Sequence, residues 1–141
     1  ADVVQNGGYL PLCVTGTSMC PTLKPERDVV WLRACTPNDL TRGRILLFRR
    51  QDGTFILHRI RKRLPDGRLI MNGDAQSWCE TISPEYAIAV VEEMEIKGKR
   101  IPHKSVSLLL WDNFWYPTRS LRPLIFRIGT AIRSRFSIRD T

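Results

Sequence analysis

Short apolar runs bounded by turn residues dominate the first two thirds of the chain, and such runs are typical of β-strands. The pattern predicts strands near residues 9–15, 28–33, 44–50, 54–63, 68–72 and 86–97. Gly, Pro, Asn and Asp mark the connections, which are turns at 37–39, 51–53 and 65–67 and a loop over 73–84. Short strands joined by turns at near-regular spacing indicate a mainly β body.

Towards the C-terminal end the apolar residues recur at helical spacing instead. The pattern predicts one helix over 104–115, which Pro117 would end, and a second over 120–136. Ser120 is placed to cap the second helix, and Pro123 falls in its first turn, where proline is tolerated. We therefore expect an α-helical extension after the β body.

Charge supports the same division of the chain. Residues 1–101 carry 15 basic and 12 acidic residues, whereas residues 102–141 carry 7 basic and 2 acidic residues, and the whole chain has a net charge of +8. We predict a β domain over 1–101 and a basic, helical extension over 102–141.

The second predicted helix is amphipathic as well as basic. Its apolar side chains follow helical spacing and arginines supply its charge, namely Leu121, Leu124, Ile125, Ile128 and Ile132, with Arg119, Arg122, Arg127, Arg133, Arg135 and Arg139. A helix of this kind within 118–139 can lie on an anionic membrane. It can also pack on the β body with its arginines in solvent, or bind a partner protein or nucleic acid, of which nucleic acid is the least favoured.

The first candidate chemistry lies directly after the first predicted strand, where residues 15–23 read Thr-Gly-Thr-Ser-Met-Cys-Pro-Thr-Leu. Gly16 lets the backbone turn, and Pro21 prevents a helix from starting straight after the serine. Ser18 is therefore expected on a constrained turn with its hydroxyl outward. Because a lone serine hydroxyl is a weak nucleophile, it needs a base.

His58 is the candidate base. It is one of two histidines and lies in a predicted strand, which would hold its imidazole rigidly. The ordinary pKa of an imidazole lies near neutrality, which suits general-base catalysis. A Gly-Asp turn at Asp74 follows the next apolar run.

In this order, the serine turn, the histidine strand and the Asn-Gly-Asp turn resemble the S24/S26 serine peptidase clan. That clan contains the type I signal peptidases and the self-cleaving repressors of the LexA type. Residues 24–30 and 41–48 look like two further segments of the clan, although Glu26, Arg27 and Arg44 depart from its usual residues. The resemblance covers roughly residues 11–99.

The resemblance implies a coiled, mostly β body of the pseudo-barrel type and a Ser–His mechanism. Most bacterial signal peptidases and the repressors have lysine at the position of His58, whereas the endoplasmic-reticulum type has histidine. Ser18 would attack the peptide carbonyl, and His58 would take its proton and return it to the leaving amine. Either Asp74, in the clan's Gly-Asp, or Glu80, where His-type members carry a further acid, would orient the imidazole.

The resemblance also implies an oxyanion hole. The backbone N–H of Ser18 would be one donor, and the hydroxyl of Thr15 or Thr17 would be the second. The oxyanion and substrate-binding residues are expected to be Thr15, Gly16, Thr17, Met19 and Pro21.

The expected activity is that of a serine endopeptidase that removes a signal-like or leader-like segment from a peptide or protein precursor. The substrate is expected to carry small residues before the cut and to bind as an added strand. Two alternatives are a self-cleaving LexA-like regulator and a non-catalytic module that contacts membrane or nucleic acid through the basic extension. No metal or cofactor is expected.

No run of 18 or more apolar residues occurs, so no transmembrane helix is predicted. The four cysteines show no C-x-x-C pair and no zinc spacing, and they are expected to be small buried thiols. These features favour the cytoplasm, with membrane association through the extension.

Overall fold

The computed structural model describes residues 7–104 and 114–128. Within them, eight strands form one antiparallel sheet. The strands are β1 (Leu10–Cys13), β2 (Val29–Ala34), β3 (Ile45–Arg49), β4 (Phe55–Arg63), β5 (Leu69–Asn72), β6 (Glu80–Ile82), β7 (Ala87–Ile96) and β8 (Lys99–Pro102). The prediction of a mainly β body is therefore confirmed.

The strand order is β1-β2-β7-β3-β4-β5-β6, and β8 pairs with the end of β7. The sheet is open, with β1 at one end and β6 at the other. The long strand β7 holds the centre because it pairs with β2 on one side and with β3 on the other. β4 carries the candidate base and pairs with β3. β5 pairs with β4 and leads into the Gly-Asp turn.

All six predicted strands are present, but the sequence missed two. β6 lies inside the predicted loop over 73–84, where its three residues pair with β5. β8 follows a two-residue turn at Lys97 and Gly98, both of which have positive φ. Such a turn joins antiparallel strands, and it usually carries Asn or Gly where lysine stands here.

Apolar side chains form two core clusters on the two faces of the sheet, because successive residues of a strand point to opposite faces. Ile45 belongs to one cluster and Leu46 to the other. The first cluster contains Val14, Met19, Leu23, Val30, Leu32, Ile45, Ala89, Val91 and Met94. The second contains Leu40, Leu46, Phe48, Ile60, Leu69, Met71 and Val90.

The described part of the extension is helical and packs on the sheet. A 3-10 helix, Tyr116–Leu121, leads into the α-helix α1 over 122–128. Ser120 lies inside the 3-10 helix, so the prediction that it caps the second helix is wrong. Most of the predicted helix over 104–115 and the end of the second one lie outside the described residues.

The expectation that the arginines of this helix face solvent is wrong for Arg122, which has 0% of its surface exposed. No helix among the described residues is long and apolar enough to cross a membrane.

Candidate active site

The serine turn (residues 15–23) is anchored by its own apolar side chains. Met19 and Leu23 are buried in the first core cluster, so the turn cannot move without opening the core. Ser18 lies between these anchors and the exposed start of the turn, and it is half-buried. The other expected substrate residues are Thr15, Gly16 and Thr17, which are exposed, and Pro21, which is half-buried.

Ser18 and His58 meet at Gly73. A Cβ atom on Gly73 would lie 2.7 Å from the carbonyl oxygen of Ser18 and 3.0 Å from Nε2 of His58. The N–H of Ala75 also donates to the carbonyl of Ser18, at 2.8 Å. The site loop (residues 73–76) therefore holds the serine turn against the imidazole, and only glycine leaves enough room at its first position.

His58 is enclosed by aromatic side chains, and only 1% of its surface is exposed. The rings of Phe48 and Trp78 meet it edge-on, with centroids 5.9 Å and 6.1 Å away. Burial lowers the pKa of His58 to about 4, against the raising effect of Glu80. The imidazole is therefore neutral near pH 7 and able to accept a proton.

Glu80, on β6, lies at the other nitrogen of the imidazole. Its Oε1 atom is 3.4 Å from Nδ1 of His58, which is too long and too poorly aligned for a good hydrogen bond. Arg50 holds the same carboxylate with two bonds, of 2.7 Å and 3.1 Å. Arg50, Glu80 and His58 thus form a continuous array that ends at the site.

Asp74 is directed elsewhere. Its buried carboxylate accepts bonds of 3.0 Å and 2.8 Å from Arg59, 3.1 Å from Arg61 and 2.5 Å from the hydroxyl of Thr22. Burial raises the pKa of Asp74, but Arg59, Thr22 and Arg61 outweigh burial and hold it below its ordinary value. Among the described contacts, this carboxylate binds the arginines, whereas Glu80 is the acid that reaches the imidazole.

The extension also contacts the site loop. Nη1 of Arg122 donates to the side-chain oxygen of Asn72 at 2.8 Å and to the carbonyls of Gly73 and Gln76 at 3.1 Å and 2.5 Å. The indole of Trp115 donates to the carbonyl of Asp74 at 2.5 Å. The site loop is therefore clamped between the extension and the serine turn.

An apolar cavity of about 280 Å³ opens beside the serine turn. Residues of β1, the serine turn, β3 and β4 line it, namely Leu12, Cys13, Val14, Thr15, Gly16, Met19, Leu47, Phe55, Ile56 and Leu57. Among the described strands β1 pairs only with β2, so its other edge is open for backbone hydrogen bonds beside this cavity.

The cysteines differ from expectation. Cys13 is exposed at the cavity, and Cys20, Cys35 and Cys79 are half-buried. The prediction that all are buried thiols is therefore wrong. The described residues also contain no group of three or more His, Cys, Asp or Glu side chains that could hold a metal ion.

Sequence reasoning missed three side chains of this region. Arg50 lies 30 residues from its partner Glu80, Trp78 covers the imidazole, and Arg122 comes from the far end of the chain. Their roles depend on contacts between distant segments, and no local motif signals such contacts.

The chain matches no protein-family model, no curated protein and no solved structure. The chemistry of the site therefore follows from its own atoms. These atoms are a half-buried hydroxyl, a neutral imidazole and a carboxylate beside an apolar cavity.

Proposed function

We propose that this protein is a serine endopeptidase in which Ser18 is the nucleophile and His58 the general base. The approach of the Ser18 backbone and Nε2 of His58 to Gly73, with Glu80 3.4 Å from the other imidazole nitrogen, carries the proposal. A serine, a neutral imidazole and a nearby acid are the parts from which an activated serine is built.

More narrowly, we propose that it belongs with the Ser–His members of the S24/S26 clan, which resemble signal peptidases. The mainly β sheet and the order of the serine turn, β4 and the site loop along the chain support this assignment. Its substrate would be a signal-like or leader-like segment of a peptide or protein precursor. Cys13, exposed beside the cavity, would stay reduced in the cytoplasm, where we place the enzyme.

The proposed reaction starts with neutral His58. Nε2 takes the proton of the Ser18 hydroxyl while Oγ forms a bond to the scissile carbonyl carbon. Glu80 stabilises the imidazolium that results, because its charge favours the protonated ring. His58 then gives the proton to the leaving amine, and water releases the acyl group by the same steps in reverse.

The oxyanion and the substrate would be held by the serine turn and β1. The N–H of Ser18 and a hydroxyl of Thr15 or Thr17 would donate to the oxyanion, and one such donor is worth about 3 kcal/mol of the barrier. An extended substrate would pair with the open edge of β1 and place small apolar side chains in the 280 Å³ cavity.

Arg122 has a positioning role in this proposal, because it contacts the site loop and not the substrate. Its bonds fix the carbonyls of Gly73 and Gln76, and the same loop lies against the carbonyl of Ser18 and Nε2 of His58. The extension would thus complete a site whose reacting groups all lie in the β domain.

The experiment that tests the proposal is cleavage of a peptide library rich in small residues, at pH 4–9, together with labelling by a fluorophosphonate. Ser18→Ala should abolish labelling and lower kcat/KM at least about a thousandfold. Ser83→Ala is the matched control, since Ser83 caps no helix with its side chain, and it should behave like the wild type.

Two results would overturn the proposal. One is cleavage or labelling that survives Ser18→Ala. The other is a folded wild-type protein that neither cleaves the library nor reacts with the label, with or without anionic vesicles. That second result would favour a binding module built on this scaffold.

A further inference from the structure

The extension carries an apolar stripe that the described part of the chain leaves open. Leu121, Leu124, Ile125 and Ile128 are 56%, 55%, 37% and 52% exposed. Residues three, four and seven positions apart share one face of a helix, so these side chains form a single stripe. Phe114, at the start of the described segment, is 68% exposed and adds to the apolar surface.

The other edge of α1 holds it on the β domain. Arg122 is buried there by its bonds to the site loop, and Phe126 packs edge-on against Trp115 with ring centroids 6.3 Å apart. Rotating the helix to bury the apolar stripe would expose Phe126 and break the bonds of Arg122. The stripe is therefore fixed outward, as in a docking surface.

Charge indicates which occupant fits this surface. Arg127 is exposed on the same segment, and the chain has no acidic residue from 113 to 139. Arg119 is exposed too, but its guanidinium donates to the hydroxyl of Tyr116 at 2.6 Å and to Sγ of Cys79 at 3.5 Å. Leu and Ile on one face with arginines beside them are the composition of helices that lie in the interface of anionic membranes. A protein groove for this segment would have to supply several acidic side chains, whereas an anionic bilayer presents negative charge everywhere.

We propose that the apolar stripe docks onto an anionic lipid bilayer. Leu121, Leu124 and Ile128 would enter the boundary between headgroups and acyl chains, with Arg127 on the lipid phosphates. This proposal does not depend on the peptidase activity.

The test is co-sedimentation of the full chain with vesicles. One set is pure phosphatidylcholine and the other contains one third phosphatidylglycerol. The wild type should bind the anionic vesicles, bind less as salt rises, and leave the neutral vesicles alone. Leu124→Ser/Ile128→Ser should lower the partition coefficient at least about tenfold, and Arg127→Gln should weaken binding and flatten its salt dependence.

Ile88→Ser is the matched apolar control, because Ile88 is 36% exposed on β7, and it should bind like the wild type. Circular dichroism of each variant shows whether the fold is kept. Equal binding by the Leu124→Ser/Ile128→Ser variant and this control would overturn the proposal. So would a wild type that ignores anionic vesicles but forms a dimer or a nucleic-acid complex that the double substitution abolishes.

Discussion

Asp74 and Glu80, the two acids close to the site, have opposite surroundings. On one side, Asp74 is fully buried and accepts bonds from two arginines and a threonine. On the other, Glu80 is partly exposed and keeps only a long contact to His58 beside its bonds to Arg50. A carboxylate whose oxygens already accept bonds from neighbouring cations has little acceptor capacity left for an imidazole. Asp74 is therefore placed to stabilise the fold, whereas Glu80 is placed to interact with the imidazole.

Loss of the Asp74 charge should have the largest effect on stability. Asp74→Asn removes a buried carboxylate charge from the guanidinium groups of Arg59 and Arg61, and breaking a buried ion pair in this way costs about 3–5 kcal/mol. Urea denaturation measures the loss. Glu80→Gln is the matched change on the other side and should cost about 1 kcal/mol or less, since its partner Arg50 is one-third exposed. Equal losses would remove the distinction between the two carboxylates.

Arg122 should come next, because it holds the site loop from the side of Asp74. Arg122→Gln removes charged donors from the carbonyls of Gly73 and Gln76 and should lower stability by about 2–3 kcal/mol. Well below the unfolding temperature it should also lower kcat about tenfold with little change in KM, because the loop would hold Ser18 less firmly.

Arg127→Gln is the control for that change, since Arg127 is exposed on the same helix and its loss should cost less than about 0.5 kcal/mol. Arg122→Lys should restore part of kcat, because an ammonium can replace some of the bonds. An Arg122→Gln variant that is less stable but has the wild-type kcat would leave Arg122 a purely structural role.

The smallest predicted effects on stability concern the array that ends at His58, where the main change is in the pH dependence of activity. Since His58 must be neutral to take the Ser18 proton, kcat/KM of the wild type should fall as pH drops through about 4. Arg50 lowers the pKa of His58 and Glu80 raises it. Arg50→Gln should therefore move the acid limb to higher pH, and Glu80→Gln should move it to lower pH and reduce kcat about tenfold to a hundredfold.

Arg49→Gln provides the control for these profiles, because Arg49 lies next to Arg50 but stacks on Phe55 instead. Its acid limb should match that of the wild type. Shifts in the same direction for the Arg50 and Glu80 variants would contradict the proposed array.

Strands β2, β3, β4 and β7 were predictable because each contains a run of apolar residues and is bounded by turn residues. β6 was not, since its three residues are too few to show a period, and they form a strand only because β5 pairs with them. The same pairing places Glu80 opposite Met71 and so decides which acid reaches the imidazole. The sequence left Asp74 and Glu80 as alternatives because pairing between distant strands leaves no local pattern.

The burial of Arg122 could not be predicted from the sequence either, for a different reason. In a helix rich in arginine, each one is expected to face water, and only acceptors supplied by a loop 46 to 50 residues away make burial of this one favourable.

The contacts that clamp the site loop can form only late in translation. The ribosome synthesises Ser18 first, then His58 and the site loop. Arg122 and Trp115, whose side chains donate to carbonyls of that loop, follow much later. A nascent chain thus contains every reacting group of the proposed site before it contains the residues that align them. Under the proposed function, a nascent chain would therefore cleave more slowly until the extension has been translated.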